Sequence, residues 1–550
     1  MPGIWLTQRP FGEITQDLAF IVQRIDPEWF AGARWIQRKD ASISRVTLYD
    51  WVTLSEDTES VVGVAVVAVD FGEEDTLPAH GGFQEQPERN LYNVPLLVTG
   101  SEDVVQGEPL VVVTGSDFRG YVYDATGTRA FAAALFTAVR TGAVLNSERG
   151  HFRFNHVGSP VLDSKAHTVV TEDRDTTNTV IIVDFSQVIK VYRKLQTGSS
   201  PDIEISKGLD KVGFSNIPRP LGYGIYSGRQ GVTCPAFFVQ EFIENQGDAW
   251  DILCREALEF LKGQFGDSLP EEGGDGGITD CRRNLGLREG RLGVVTAGLH
   301  LASSSIDEGE FAPEPMMRED VVSLVNNIIS AVPITIEELK RANLDAETLE
   351  KTLNMYESLR QKEAILKCLR QVEEILRDSP ELGMKIRIHG DLHLGQFLQV
   401  RGNGLYDFVI IDFEGEPLRP VYERLRKSSP LRDVAGMLRS FDYSGYSAAF
   451  RMDESADEKE YLMAIAREWG RQTGEEFLKA YMEAMRRSCA YLLPRNPRDF
   501  QLLLLCFKLE KALYEVRYEL RNRPRWVSIA IRGTLDSINE IRSSLDCGGR

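Results

Sequence analysis

The sequence has no paired cysteines, no histidine-based metal motif and no long apolar run. Its seven cysteines are dispersed without a C-x-x-C pair, which predicts reduced thiols rather than a disulfide framework or a zinc site. The histidines show no H-E-x-x-H spacing. The longest apolar runs, Val61–Val69 and Leu502–Phe507, are far shorter than the roughly 20 residues that cross a bilayer, and the first residues lack a signal pattern. These absences predict a cytoplasmic protein that does not interact with a membrane.

Positive charge is also scarce. The 63 basic side chains are outnumbered by 82 acidic ones, which gives a formal net charge of -19. A surface of this sign repels polyphosphate, so we expect no nucleic-acid partner. With 42% hydrophobic and 26% charged residues, the 550-residue chain has the composition of a globular protein, and it is too long for one compact core. We expect two or three packed units.

Strand patterns dominate the front half of the sequence. Short β-branched segments are bounded by Gly, Asp or Pro, and one helical segment, Thr128–Thr141, interrupts them. The predicted strands are Arg45–Thr53, Val61–Asp70, Pro95–Thr99, Leu110–Thr114, Thr168–Val170, Thr179–Asp184, Val188–Tyr192 and Ala236–Phe242.

Helix patterns dominate from about Asp248 onward. The predicted helices are Leu287–Ser304, a long segment that begins at a capping box of Thr335 and Glu338, Asp433–Asp442, Asp457–Ser488 and Asp499–Arg521. A small β-island interrupts them at Lys385–Ile388, Phe397–Val400 and Phe408–Phe413. Gly266–Gly277 is rich in glycine and acid and predicts a surface loop. This order indicates an α+β, bilobal protein-kinase-like fold.

The β-island carries a pattern that is typical of phosphoryl transfer. His389, Gly390 and Asp391 are followed at Gln396 by an amide, in the form H-G-D-x-x-x-x-Q, and the next apolar strand ends at Asp412. Phosphoryl transfer needs a carboxylate that orients the attacking hydroxyl, and we expect Asp391 in that role. Oxygen ligands for Mg²⁺ are expected from Gln396 and Asp412, with ATP as the co-substrate. Either half alone could be an ordinary turn or helix cap, but both halves in order on one hairpin (401–404) favour catalysis.

Four neighbouring side chains receive narrower predictions. His389 is expected to support the catalytic turn through a backbone hydrogen bond, and His393 to be structural. Glu414 is equally compatible with a second metal ligand and a solvated neighbour. Glu416 could contact substrate, although a loop salt bridge is favoured.

A kinase also needs a cation that holds the nucleotide phosphates. Lys190 lies centrally on the apolar strand Val188–Tyr192, where an unpaired ammonium would be costly, and Glu204 is the predicted partner. The alternative is an edge-strand lysine whose ammonium reaches solvent.

The remaining nucleotide contacts are predicted from position alone. No G-x-G-x-x-G precedes the lysine strand, so the turn around Thr177 is the candidate phosphate cover. The backbone of Gln240, Glu241 and Phe242 is the candidate hinge for the adenine edge.

These motifs resemble those of the maltokinases, which use ATP to convert maltose into maltose 1-phosphate. The matching stretches are His389-Gly-Asp-Leu-His-Leu-Gly-Gln396, Ile411-Asp-Phe-Glu-Gly-Glu-Pro417, Ser429–Tyr443, Leu509–Leu520 and Asn522–Trp526. The resemblance implies a β-rich cap (1–115), an intermediate N-lobe with the ATP lysine (116–245) and a helical C-lobe with the catalytic and sugar sites (246–550). It also implies Asp391 as catalytic base, Gln396 and Asp412 as Mg²⁺ ligands, and a trehalose synthase or another glucan-pathway enzyme as a partner.

A sugar site is predicted on one helix face. Lys511, Tyr514, Glu515 and Tyr518 recur at i, i+3, i+4 and i+7, and polar groups beside aromatic rings suit a sugar. The alternative is an amphipathic core helix with its polar edge in solvent. Asp442 and Tyr443, expected just past a helix end, are further candidates.

Three functions follow from these motifs. The first is transfer of the ATP γ-phosphoryl group to the anomeric hydroxyl of maltose. The second keeps the reaction and changes the acceptor to an amino sugar, because related glucosamine kinases share the H-G-D and D-F-E elements. The third is a catalytically silent, kinase-like binding protein, against which the intact Lys190, Asp391 and Asp412 argue.

Overall fold

The computed structural model describes the greater part of the chain. The described residues are 3–36, 42–72, 89–101, 107–116, 118–158, 167–172, 177–229, 231–265, 287–307, 309–342, 362–402, 406–452 and 456–546. The predicted loop Gly266–Gly277 lies outside them, as do residues 403–404 of the predicted hairpin turn. The chain divides into two compact units, Met1–Lys207 with Pro218–Glu244 and Gly208–Ile217 with Asn245–Arg550.

The first unit begins with a six-stranded sheet of order β1-β5-β6-β4-β3-β2. Its strands are β1 (Gly3–Leu6), β2 (Ile43–Glu56), β3 (Ser60–Phe71), β4 (Arg89–Thr99), β5 (Val111–Thr114) and β6 (Arg119–Asp124). Two short helices, α1 (Leu18–Val22) and α2 (Pro27–Gly32), contribute buried side chains to the core that this sheet forms. Nearly every side chain of β3 is buried because both faces of the sheet are covered.

A seven-stranded sheet completes the first unit, in the order β7-β8-β12-β13-β11-β10-β9. Its strands are β7 (Val144–Asn146), β8 (Gly150–His156), β9 (Val169–Glu172), β10 (Thr179–Val183), β11 (Gln187–Val191), β12 (Pro220–Gly228) and β13 (Thr233–Glu241). Helix α3 (Arg129–Thr141) packs Phe131 and Leu135 into a core that contains side chains of both sheets. Thr128 caps its first turn by accepting from the Phe131 N–H group, and Gly142 ends it in the left-handed region.

The three-part division of the chain stays a prediction. The first sheet continues past residue 115 to Asp124, and both sheets belong to one compact unit.

The second unit is mainly helical. Helix α4 (Pro201–Lys211) carries the chain into it. The following helices are α5 (Ala249–Phe265), α6 (Leu287–Ser304), α7 (Arg318–Arg341), α8 (Lys362–Arg377), α9 (Val421–Arg424), α10 (Leu431–Phe450), α11 (Ala456–Ser488), α12 (Pro497–Asn522) and α13 (Val527–Asp546). Two small antiparallel pairs stand among them: β14 (Glu314–Pro315) with β15 (Met384–Lys385), and β16 (Phe397–Arg401) with β17 (Tyr406–Ile410). The spacing of Ile365, Leu369, Val372 and Leu376 is confirmed, since all four are buried on α8.

The predicted helix start at Thr335 is wrong. Thr335 is buried inside α7, which begins at Arg318, where the Met317 N–H group donates to the Asp320 carboxylate at 2.7 Å. The helix passes through Pro333, because buried residues on both sides, such as Val332 and Ile336, outweigh the missing backbone donor. By length and composition α7 could cross a membrane, but it packs against α8 and α12.

Two further boundaries are corrected. The predicted strand Lys385–Ile388 is reduced to Met384–Lys385, followed by an isolated bridge from Ile386 to Ser428. Asp442 and Tyr443 lie inside α10 rather than past its end, because the helix continues to Phe450 along buried small residues that allow close packing.

Candidate active site

The H-G-D stretch of the second unit forms a tight turn. Gly390 has a φ of +85°, a conformation that a side chain would strain, and this places Asp391 at the turn. His389 supports the turn on both sides of its ring, as expected. Its Nδ1 accepts from the Asp391 N–H group at 3.3 Å, and its Nε2 lies 3.0 Å from the carbonyl oxygen of Ile411. The ring therefore ties the turn to the segment that leads to Asp412.

Asp433, which the sequence predicts only as the start of a helix, also holds this turn. Its two oxygens accept from the backbone N–H groups of His389 at 2.8 Å and Gly390 at 2.9 Å. Burial alone would raise the pKa of Asp433, but hydrogen bonds from His300 and the backbone lower it, so the carboxylate is ionised. The available signal was an acidic residue in the first turn of a buried helix, where it must find donors.

Gly436 on the same helix lets the H-G-D turn approach α10 closely. A Cβ atom on Gly436 would lie 2.5 Å from the carbonyl oxygen of Leu392. The residue after Asp391 therefore rests directly on the helix backbone, and the position of the turn depends on that contact.

The hairpin β16–β17 presents the candidate metal ligands. Its register pairs Phe397 with Ile410, so Gln396 and Asp412 flank the paired residues at the same end. The Gln396 Nε2 atom lies 3.4 Å from Asp412 Oδ2, and carboxylate oxygens of Asp412 and Glu414 lie within 4.8 Å of each other. Amide and carboxylate oxygens are the ligands that Mg²⁺ prefers, so this donor set fits the ion.

Asp412 has a strained backbone. Its φ of +69° is rare for a residue other than glycine, and such strain concentrates at functional sites. The structural role expected of His393 stays a prediction. His393 accepts from the Gly395 N–H group at 3.1 Å and lies 3.2 Å from the Gln396 amide, and burial lowers its pKa.

Lys511 on α12 binds the candidate base directly. Its Nζ atom lies 2.8 Å from Asp391 Oδ1 and 2.8 Å from Glu416 Oε1. Burial alone would lower the pKa of Lys511, but the two carboxylates raise it well above its usual range, so the ammonium stays charged. The favoured prediction for Glu416, a loop salt bridge, matches this contact and a second one to Arg419. Burial alone would raise the pKa of Glu416, whereas Lys511 and Arg419 lower it to about 2.

A recess of about 290 Å³, which includes space open to solvent, lies beside Asp391. The ionisable residues that line it are Asp391, Glu416, Asp433, Glu510, Arg419, Arg432 and Lys511. Glu510 binds both arginines, Arg419 at 3.3 Å and Arg432 at 2.9 Å. The recess thus has four carboxylates and three cations, a formal excess of one negative charge.

The predicted sugar face of α12 forms a continuous half-buried stripe. Lys511 Nζ lies 4.9 Å from the centre of the Tyr514 ring, and the Tyr514 and Tyr518 rings stack with centroids 6.4 Å apart. Glu515 accepts from Arg439, whose Nη2 atom lies 2.7 Å away, and Arg439 also binds Asp442 at 3.1 Å.

Arg439 is not among the residues that the sequence predicted for the site, although it contacts several of them. Its side chain is 1% exposed, and it also lies 5.3 Å from the Tyr443 ring, which stacks on Trp526. A Cβ atom on Gly533 would lie 2.1 Å from Arg439 Nη1, so α13 makes room for the guanidinium with a glycine. Burial alone would lower the pKa of Arg439, but Glu515 and Asp442 raise it, and the guanidinium stays charged.

In the first unit, Lys190 is buried on β11 and has a carboxylate partner. The partner in the structure is Asp202, whose Oδ2 atom lies 2.6 Å from Lys190 Nζ. Asp202 precedes the predicted partner Glu204 by two residues on α4. The sequence therefore predicted the correct helix but not the contact with Asp202. Thr177 lies just before β10 and stays a prediction as phosphate cover.

Backbone N–H groups of the candidate hinge already have hydrogen-bond partners. Gln240 pairs with Val188 on β11, and the N–H groups of Glu241 and Phe242 already donate to Arg219 and Ser186. A nucleotide base could use these two N–H groups only by breaking those bonds.

Comparisons with known proteins give the fold. The chain matches no protein-family model. It is 23% identical over 378 residues to a glucosamine kinase of Streptacidiphilus jiangxiensis, covering 66% of this chain and 72% of that protein. It is 24% identical over 357 residues to a glucosamine kinase of Mycolicibacterium smegmatis, covering 64% and 76%.

Solved structures of glucosamine kinase have the same fold. One, in complex with glucosamine, ADP and inorganic phosphate, superposes with a TM-score of 0.59 at 18% identity, over 96% of this chain and 99% of that one. Another crystal form gives 0.61 at 20% identity, over 94% and 98%. The predicted α+β, protein-kinase-like fold class is thereby confirmed.

Proposed function

We propose that this protein is an ATP-dependent kinase that phosphorylates a hydroxyl group of a small sugar. The observation that carries the proposal is the arrangement around Asp391. Asp433 holds the turn of this carboxylate, and a recess lies beside it. On the neighbouring hairpin segment, the side-chain amide of Gln396 lies 3.4 Å from Asp412 Oδ2, and carboxylate oxygens of Asp412 and Glu414 lie within 4.8 Å of each other.

The reaction follows from these groups. The acceptor hydroxyl binds in the recess and donates its proton toward Asp391, which orients the oxygen for attack on the γ-phosphorus of ATP. A new O–P bond forms as the bond between the γ-phosphorus and its bridging oxygen breaks, and ADP leaves with the electron pair of that bond. Lys511, whose Nζ atom lies 2.8 Å from Asp391 Oδ1, holds this carboxylate in place beside the recess.

Mg²⁺ would be held by Gln396, Asp412 and Glu414, and when bound it neutralises charge on the β- and γ-phosphate oxygens. Lys190, paired with Asp202, is the proposed lysine for the nucleotide. The strained backbone of Asp412 agrees with a ligand role.

An amino sugar such as glucosamine is the proposed acceptor. The similar proteins are named glucosamine kinases, and the recess has an excess of one carboxylate, which favours an ammonium over a neutral hydroxyl. Maltose is the second candidate, because the motifs around residues 389–443 and 509–526 resemble those of the maltokinases.

The test is ADP release with glucosamine, glucose, maltose and trehalose as acceptors. We expect turnover with glucosamine to exceed turnover with each neutral sugar at least tenfold in kcat/KM. Asp391→Asn should abolish turnover and leave ATP binding intact, while Asp378→Asn, the same change at an exposed position of the second unit, should have no effect. ADP release with none of the sugars would support the catalytically silent alternative, and full activity of Asp391→Asn would exclude Asp391 as the base.

A further inference from the structure

Two buried polar side chains of the second unit have no part in the mechanism above. His300 on α6 and Tyr481 on α11 are both fully buried. The His300 Nδ1 atom lies 2.9 Å from the Tyr481 hydroxyl, and its Nε2 atom lies 3.2 Å from Asp433 Oδ2. Buried hydrogen-bonding groups of this kind specify one arrangement, because any other leaves them unpaired.

The carboxylate of Asp433 fixes the direction of the hydrogen bond that it forms with His300. An ionised carboxylate only accepts, so the His300 Nε2–H group donates to Asp433. The His300 Nδ1 atom makes the second hydrogen bond, with the Tyr481 hydroxyl. Rotating the ring would break both bonds, and the ring is therefore held in one orientation by partners on two other helices.

This series of hydrogen bonds ends at the turn that carries Asp391. The Asp433 oxygen that accepts from His300 also accepts from the His389 N–H group, and the other oxygen accepts from Gly390. The plane of the Asp433 carboxylate therefore determines where the backbone immediately before Asp391 lies. His300 restrains that plane through its own hydrogen bond to Asp433 Oδ2.

The helices that carry His300 and Tyr481 are packed at backbone distance. A Cβ atom on Gly293 would lie 2.4 Å from the Phe477 carbonyl oxygen and 2.9 Å from the Tyr481 nitrogen. Such close packing leaves α6 and α11 little freedom to slide, so the contact between His300 and Tyr481 is rigid.

We propose that Tyr481 and His300 are positioning residues that act through Asp433 to hold the catalytic turn. This inference rests on the proposed function. Neither residue touches substrate. They keep the carboxylate of Asp391 at the distance from which it orients the acceptor hydroxyl, and such alignment is worth large factors in rate.

The experiment compares four variants. His300→Leu removes both bonds, His300→Gln restores a donor toward Asp433, and Tyr481→Phe removes only the hydroxyl. Ser303→Ala, one turn along the same helix at a buried hydroxyl that has no hydrogen-bond partner in the structure, is the control. We expect kcat to fall about 100-fold in His300→Leu, to recover at least tenfold in His300→Gln, and to fall severalfold in Tyr481→Phe. KM for ATP should be unchanged, and Ser303→Ala should retain wild-type kcat.

A second readout separates this inference from the proposed function. Amide hydrogen exchange at His389 and Gly390 needs no substrate, and it should accelerate at least tenfold in His300→Leu and less in His300→Gln. Equal exchange in the wild type and His300→Leu, or equal kcat values in the Leu and Gln variants, would overturn the positioning role. A wild-type protein that releases no ADP with any sugar would overturn the proposed function. The exchange result would still decide whether His300 and Tyr481 hold the turn through Asp433.

Discussion

Replacing Gly436 by alanine should impair catalysis without touching a catalytic group. The added Cβ atom would lie 2.5 Å from the carbonyl oxygen of Leu392, whereas an ordinary contact begins at 3.4 Å. The turn that holds Asp391 would have to move by roughly 0.9 Å, the difference between these two distances. Displacement of a catalytic group by about 1 Å costs on the order of 100-fold in rate, which corresponds to about 2.7 kcal/mol in the activation free energy.

Steady-state kinetics and urea unfolding together test this reasoning. We expect kcat to fall about 100-fold with KM for ATP unchanged, and the free energy of unfolding to fall by about 1–3 kcal/mol. Gly290→Ala is the matched control, because a Cβ atom there meets only Ala480 Cβ at 3.7 Å. It should leave kcat unchanged and stabilise the protein by about 0.5–1 kcal/mol. Wild-type kcat in Gly436→Ala would refute the contact between the catalytic turn and α10 as a determinant of activity.

Three further changes test the remaining contacts. Asp412→Asn keeps a residue that tolerates the left-handed backbone, so the Mg²⁺ concentration for half-maximal rate should rise at least tenfold with little change in the urea midpoint; an unchanged Mg²⁺ dependence would exclude Asp412 as a ligand. The pKa of Glu416, lowered from 4.5 to about 2 against the effect of burial, contributes on the order of 3 kcal/mol of stability. That contribution is complete above about pH 5 and is lost as the pH falls toward 2. Urea unfolding across this range should show that Lys511→Met removes much of it, and identical pH profiles would speak against the pair. Gly533→Ala should displace the Arg439 guanidinium and lower the free energy of unfolding by about 1–3 kcal/mol, and a more stable variant would contradict that packing.

The parts of the site that could be predicted lie within single short stretches. The H-G-D turn is a short local motif, and the hairpin that leads to Asp412 forms by sequence-local pairing, with Phe397 opposite Ile410. The stripe from Lys511 to Tyr518 follows from the period of one helix. In both cases the backbone geometry of a single element determines which side chains are neighbours.

Contacts between distant elements could not be predicted in the same way. Asp433 reaches the turn across 44 residues of sequence, and Arg439 meets Glu515 across 76. Lys190 bonds Asp202, two residues before the predicted Glu204, because the rotation of α4 against β11 is set by packing. Pro333 marks no helix end, since buried neighbours stabilise the helix around it.

The sequence by itself therefore determined the chemical groups and their order: an H-G-D turn, then an amide and two carboxylates around one hairpin, a lysine on an apolar strand, and a polar-aromatic helix face. Only the tertiary structure decided which partners hold these groups. Lys511 binds both Asp391 and Glu416, and Asp433 accepts from the backbone of the turn. The reason is physical. Residues that are close in sequence determine which side chains share one face of a helix or strand. The partner of a buried charge depends instead on which helices pack together and at what distance.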